Sequence, residues 1–197
     1  MVFFDEWKAG LTPIEEDIII ERIGKSLTDE DLTRYLGGGI GENIIKYSSL
    51  KDYKSITDLL PTDKSYKIIL IEDEISKGHW VLVLRINGIV EFFNSYGEPV
   101  DKQKSMIGEC KNALLGQTKN YLSKLFRNRP KDLKYVWNDK ALQRQKEGIN
   151  TCGRWVILRI LMMKDMNMEL DEFQRVMKNN KKLSGLPYDA LVSIYIQ

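Results

Sequence analysis

Histidine is nearly missing from this chain of 197 residues: there is one, His79, and cysteine occurs only twice. One histidine and two separated cysteines cannot supply the four ligands of a structural zinc site, so no metal centre is expected. Two cysteines in a chain this long do not make a disulfide framework. They fit free thiols in a reducing compartment. An excess of one charge is lacking too. Thirty Lys and Arg stand against 28 Asp and Glu, a formal net charge of +2, so the total implies no electrostatic role. No repeat and no low-complexity segment is present. The longest apolar runs, such as Ile68 to Ile71, are far too short to span a bilayer. The opening "MVFFDEWKAG" has Asp5 and Glu6 and no basic stretch before a long apolar core, unlike a secretory signal. What remains is a soluble intracellular protein without a membrane partner. Its length fits one domain with a real core, and its hydrophobic content of 43% is ordinary for a globular chain.

The elements that are present read in the order helices, sheet, helices. "SLTDEDLTRYLGGG" is a helix capped by Ser26 or Thr28, with acids in its first turn and a stop at Gly37 to Gly39. A shorter helix is expected in "SSLKDYKSITDLLP", closed by Pro61. Strands follow over 66–72, 78–86 and 88–96, rich in β-branched and aromatic residues. Asn87-Gly88 marks a hairpin between the last two. Helical patterns return over about 102–127, 133–138 reads as a fourth strand, and 152–166 as an apolar helix covered on most sides. "ELDEFQRVMKN" and "PYDALVSIYI" supply closing helices. The pattern is α+β, a small, mostly antiparallel mixed sheet flanked by helices.

Chemistry concentrates around "INTCGRWVILRILMM", where Cys152 stands at the start of the apolar helix. A cysteine there is either core packing or a thiol whose pKa is lowered by the helix N-terminus. A Cys–His enzyme in this chain has only His79 as its base. Taken alone, a strand histidine is as well explained by a satisfied, half-buried side chain. In "VEFFNSYGEP", Asn94 lies on the opposite face from Glu91, Phe93 and Ser95, and the hairpin brings its strand beside that of His79. Asn94 can accept the Nδ1–H bond of the imidazole and orient it, as in Cys-His-Asn triads, or it simply starts a turn. In "LQRQKEGINTCG", Gln145 precedes Cys152 by seven residues. Its side-chain N–H and the backbone N–H of Cys152 could bind an oxyanion; "QRQK" by itself reads as a solvated loop.

Taken in order, "GHWVLVL", "FFNSYG", Gln145 and "NTCGRW" resemble the adenovirus-type (adenain-like) capsid maturation proteases of the ubiquitin-like-protease superfamily of cysteine peptidases. The likeness is greater still to the proteases of virophages and related large DNA viruses. The match covers about residues 66–160. The resemblance implies an adenain-like fold with the Cys152 helix buried at its centre. It divides the chain into an N-terminal helical part (1–65), a catalytic core (66–160) and C-terminal helices (161–197). It makes Cys152 the nucleophile, His79 the general base, Gln145 the oxyanion donor and Trp80 a shield over the pair. Asn94 stands where the family more often has Asp, and a neutral amide stabilises imidazolium less than a carboxylate does. The implied activity is endopeptidase cleavage of viral capsid precursor proteins at Gly-Gly-x or Gly-x sites, in the host cytoplasm or viral factory and in the virion. A ubiquitin-like-modifier peptidase and a non-catalytic nucleic-acid or protein-binding module that kept the fold are the alternatives.

Three further features carry weaker signals. Cys110 in "IGECKNALL" reads as an ordinary helix residue. Leu36 to Gly39 resembles the Leu-x-Gly-Gly sites such proteases cut, although a capped helix is expected to bury it. It lacks the spacing of a phosphate loop. Residues 124–146 hold eight Lys and Arg against two Asp, interleaved with Tyr135 and Trp137. That stripe could bind DNA, which acts as a cofactor in the adenovirus family, or be a solvated face balanced by the acidic "IEDE" at 71–74. No other cofactor is implied, and the sequence does not identify a peptide activator.

Overall fold

The structure is a computed structural model and describes residues 10–197. The secretory-signal reading therefore lies on residues outside the described part. At the centre is the expected meander. β2 (Tyr66–Glu74), β3 (Lys77–Ile86) and β4 (Ile89–Phe93) pair antiparallel, with Ile69 opposite Val81 and Leu84 opposite Glu91. Asn87 and Gly88 take φ of 50° and 74°, the two left-handed residues of a type I′ turn whose twist matches the flanking strands. A parallel strand joins each edge: β1 (Ile44–Lys46) beside β2 and β5 (Lys134–Trp137) beside β4, in the order β1-β2-β3-β4-β5. Three residues are too few for an alternation, which is why β1 was not foreseen. β4 also ends earlier than expected. After Phe93 the chain turns, with the Gly97 N–H donating to the Asn94 carbonyl at 2.9 Å.

Parallel pairs need crossovers. The first carries a 3₁₀ turn (Tyr47–Asp52) and α3 (Ile56–Leu59). The second carries α4 (Lys102–Ser105), α5 (Glu109–Leu114) and α6 (Tyr121–Arg127) in place of one long helical stretch. These pieces cover one face of the sheet, where Ile69, Val81, Val83, Val90 and Phe92 meet Leu59, Leu122 and Phe126. The other face packs Leu82, Leu84 and Phe93 against α7 (Cys152–Met166) and α8 (Leu170–Ser184), through Trp155, Val156, Ile160 and Phe173. With both faces covered, the central strands read as nearly unbroken apolar runs.

Residues 152–160 of α7 are all buried, two arginines included. Arg159 makes a bidentate pair with Glu91 of β4, at 2.8 and 2.6 Å. Arg154 donates to the carbonyls of Lys25 and Ile196 at 2.7 and 3.2 Å. Those residues close α1 (Pro13–Gly24) and α9 (Tyr188–Tyr195), so one guanidinium serves the negative ends of two helices. α1 carries a Thr12/Glu15 capping box with proline in its first turn, a signal present in the sequence that the reading passed over. It packs on α9 through Ile19, Ile23, Ala190 and Leu191. α2 (Asp29–Leu36) has the expected Thr28 cap, boxed with Asp31. It ends before the glycines, and Gly37, Gly38 and Gly39 are exposed, contrary to the expectation that a helix buries them. Among the described residues no helix is long and apolar enough to cross a membrane.

Candidate active site

The start of β3, the turn after β4 and the start of α7 converge at one end of the sheet. His79 is 6% exposed, Asn94 is fully buried and Cys152 is 9% exposed. His79 Nε2 lies 2.8 Å from Asn94 Oδ1, and the same oxygen accepts the Tyr96 backbone N–H at 3.0 Å. A backbone N–H can only donate, so this contact fixes the amide orientation. His79 must then donate from Nε2, and Nδ1 keeps the lone pair. The sequence reading had assigned the Asn94 bond to Nδ1; in the structure the side-chain torsions of His79 turn Nε2 towards Asn94 instead. Asn94 Nδ2 is buried without a partner among the described residues.

The Tyr96 ring stacks on the imidazole, centroids 4.2 Å apart and planes 9° from parallel. Its phenol also lies near Cys152 and is pushed up to about 12, by burial first and then by the charges of Cys152 and Asp189. The backbone N–H groups of Trp80, Gly153 and Cys152 face the sulfur and favour its anion. Burial outweighs them, so the thiol pKa lies above its ordinary value. Burial likewise lowers His79 to about 4, against the opposing Asn94 bond. The resting pair is therefore thiol and neutral imidazole. Against the expectation of a helix-stabilised thiolate, desolvation of the buried sulfur opposes the pull of these N–H groups and of the Arg154 charge.

Trp80 is fixed by an Nε1–H bond to the Leu27 carbonyl at 2.9 Å. Its ring and Leu27 press on Gly153, where a Cβ would come within 3.0 Å of Leu27 Cβ and 3.4 Å of Trp80 Cδ1. Glycine after the cysteine thus relieves crowding mainly against Leu27, while the indole would meet a side chain there at ordinary contact distance. The turn after β4 needs its glycine for a similar reason. A Cβ at Gly97 would lie 2.7 Å from the Ala141 nitrogen. That closeness ties the Asn94 turn to the loop 138–151. Ser95 accepts the N–H groups of Leu142 and Gln143 through its carbonyl, at 2.8 and 2.9 Å, and donates its hydroxyl to Gln143 Oε1 at 2.8 Å. Gln143 in turn donates to the Ile149 carbonyl at 3.1 Å.

Gln145 is exposed. Its amide donates to Glu98 Oε1 at 3.1 Å, so His79 and Asn94 are brought into contact while the Gln145 side chain is held by Glu98. A cleft lined by Tyr96, Glu98, Gln143, Gln145 and Tyr188 opens beside this loop. Tyr96, Ser95 and Asp189 are site residues the sequence reading did not single out. The first two stand inside the quoted "FFNSYG", where only Asn94 was weighed. Cys110 is exposed on α5. The basic residues 124–146 spread over α6, the edge strand β5 and the loop. The acids at 71–74 do not balance them through the ion pairs found: Glu72 pairs with Lys46 and Glu74 with Lys77. No cluster of His, Cys, Asp and Glu suited to a metal occurs among the described residues.

No protein-family model matches the sequence. Over 152 residues the chain is 31% identical to a Sputnik virophage protein named "Uncharacterized protein V9", covering 77% of this chain and 83% of that one. The chain belongs to the family of that virophage protein.

Proposed function

We propose that this protein is a cysteine endopeptidase that cleaves viral structural precursors during capsid assembly, at Gly-Gly-x or Gly-x sites. The observation that carries the reading is the His79 tautomer. Asn94 holds the proton on Nε2 and leaves Nδ1 as a base, on the residue next to the Trp80 N–H that faces the Cys152 sulfur. In this reading Nδ1 takes the thiol proton as Sγ attacks the scissile carbonyl. The imidazolium then returns it to the departing amine, and water releases the acyl group from sulfur with His79 again as base. The Cys152 backbone N–H and the Gln145 amide, once it leaves Glu98, are the donors for the oxyanion. Kinship with a virophage protein supports a viral setting. The test is to incubate the virus's own capsid precursors with wild-type protein and with Cys152→Ala, and to identify new N-termini by mass spectrometry. Cleavage by the wild type alone is expected; equal cleavage by the variant overturns the proposal.

A second reading has its own support. A thiol and base each under a tenth exposed, and a Gln145 amide engaged by Glu98, also suit a non-catalytic module that kept the fold. Such a module would use the basic residues 124–146 on nucleic acid, with affinity falling steeply as salt rises.

A further inference from the structure

Asp189 belongs to α9, far along the chain from the site, yet its carboxylate ends there. It is 4% exposed. Oδ1 accepts the Thr151 hydroxyl at 2.6 Å and Oδ2 the Arg144 backbone N–H at 3.3 Å. Thr151 is the N-cap of α7, directly before Cys152; its side chain makes no capping bond and its hydroxyl donates to Asp189. The neighbours Ala190, Leu191 and Val192 are core residues, so this position could have been apolar. A buried carboxylate is costly to desolvate unless its oxygens are met, and here they are met by the two ends of one segment. The charged and titratable groups facing it are Arg144, which favours its ionised form, and the Tyr96 phenol, whose own ionisation it opposes. From within, the Gln143–Ile149 bond closes the same segment.

We infer that Asp189 is a positioning residue, a clamp that fixes the backbone of residues 144–151 and so sets the oxyanion side of the candidate site. Gln145 then rides on a fixed backbone with only its side chain left to move between Glu98 and substrate. The catalytic meaning of the clamp rests on the peptidase reading; the clamp itself does not.

The test uses the full chain with Asp189→Asn, Thr151→Val and the double variant. The asparagine keeps the shape but removes the charge, and in either orientation one of its two positions is an N–H₂ that can no longer accept from the Arg144 N–H or the Thr151 hydroxyl. Amide hydrogen exchange over 144–151 should speed up by about tenfold or more in Asp189→Asn, with the sheet unchanged. On a capsid-precursor peptide, kcat should fall by about tenfold with KM nearly constant, and Thr151→Val should add less to Asp189→Asn than it costs alone. Wild-type exchange in that segment overturns the clamp, as does faster exchange spread evenly over the chain, which would mark a merely structural residue. If the wild type cleaves nothing, the peptidase reading fails, and the exchange data still decide the clamp.

Discussion

Replacing His79 by glutamine and following stability against pH tests how many protons the candidate pair holds at rest. The imidazole is 6% exposed, lies under Tyr96 and is bonded to Asn94. Burial lowers its pKa from 6.5 to about 4. The folded chain thus holds this proton less tightly than the unfolded chain, and between those two values the unfolded state binds more protons. The stabilising contribution is fully present above the unfolded value and is lost as pH falls towards about 4. At 1.36 kcal/mol per pH unit the loss amounts to about 3 kcal/mol over that window. Urea unfolding of wild type and His79→Gln across the window measures it as a difference, in which carboxylates common to both proteins largely cancel. The wild-type advantage should shrink by about 3 kcal/mol from neutral pH down to about pH 4. A flat difference would refute the reasoning and indicate an imidazolium beside a neutral thiol; a thiolate–imidazolium pair binds as many protons as thiol and neutral imidazole and gives the same slope.

Glu91→Gln leaves the guanidinium of Arg159, in a pair with both side chains at 0% exposure, without its counter-charge. It should cost about 3–5 kcal/mol by urea midpoint, and a Glu91→Leu/Arg159→Met double variant should recover most of the loss. Asn94→Asp replaces an unpartnered Nδ2 with a second acceptor beside the imidazole, so activity should persist with its acid limb moved to higher pH. Asn94→Ala should lower kcat by about a hundredfold through loss of the ring's orientation; an alanine variant as fast as wild type would reduce Asn94 to a turn residue. Iodoacetamide should label exposed Cys110 before buried Cys152, and mass spectrometry showing the reverse order would mean that the thiol is reachable and ionised at rest.

Much of this was readable from the chain. The β-branched runs around Asn87-Gly88 placed the central meander, and the apolar stretch from Cys152 placed α7 with its observed bounds. Short-range chemistry decides both. The parallel edges were not readable, because nothing local in "IIK" or "KYVW" says which neighbour it joins. The site divided in the same way. His79, Asn94, Gln145 and Cys152 stood out by residue type and order, but whether Nδ1 or Nε2 faces Asn94 depends on the rotamer that the packed ring adopts. The thiol's protonation depends on how deeply the helix start is buried. Asp189 could not be found from "PYDALVS", since its partners come from a loop that only the packing of α9 brings near.

The mixture of pairings also bears on when the site comes into being. The His79–Asn94 bond spans 15 residues across a tight hairpin, a contact with little loop-closure cost that can form early. The surroundings of Cys152 span far more chain: Trp80 to Leu27 covers 53 residues and Thr151 to Asp189 another 38. During synthesis the base and its orienting amide can be in place while the sulfur has no fixed position. The Thr151–Asp189 contact forms only after α9 has left the ribosome and docked, so the backbone beside Cys152 is fixed last, and in the proposed peptidase the pair would be completed only on the finished chain.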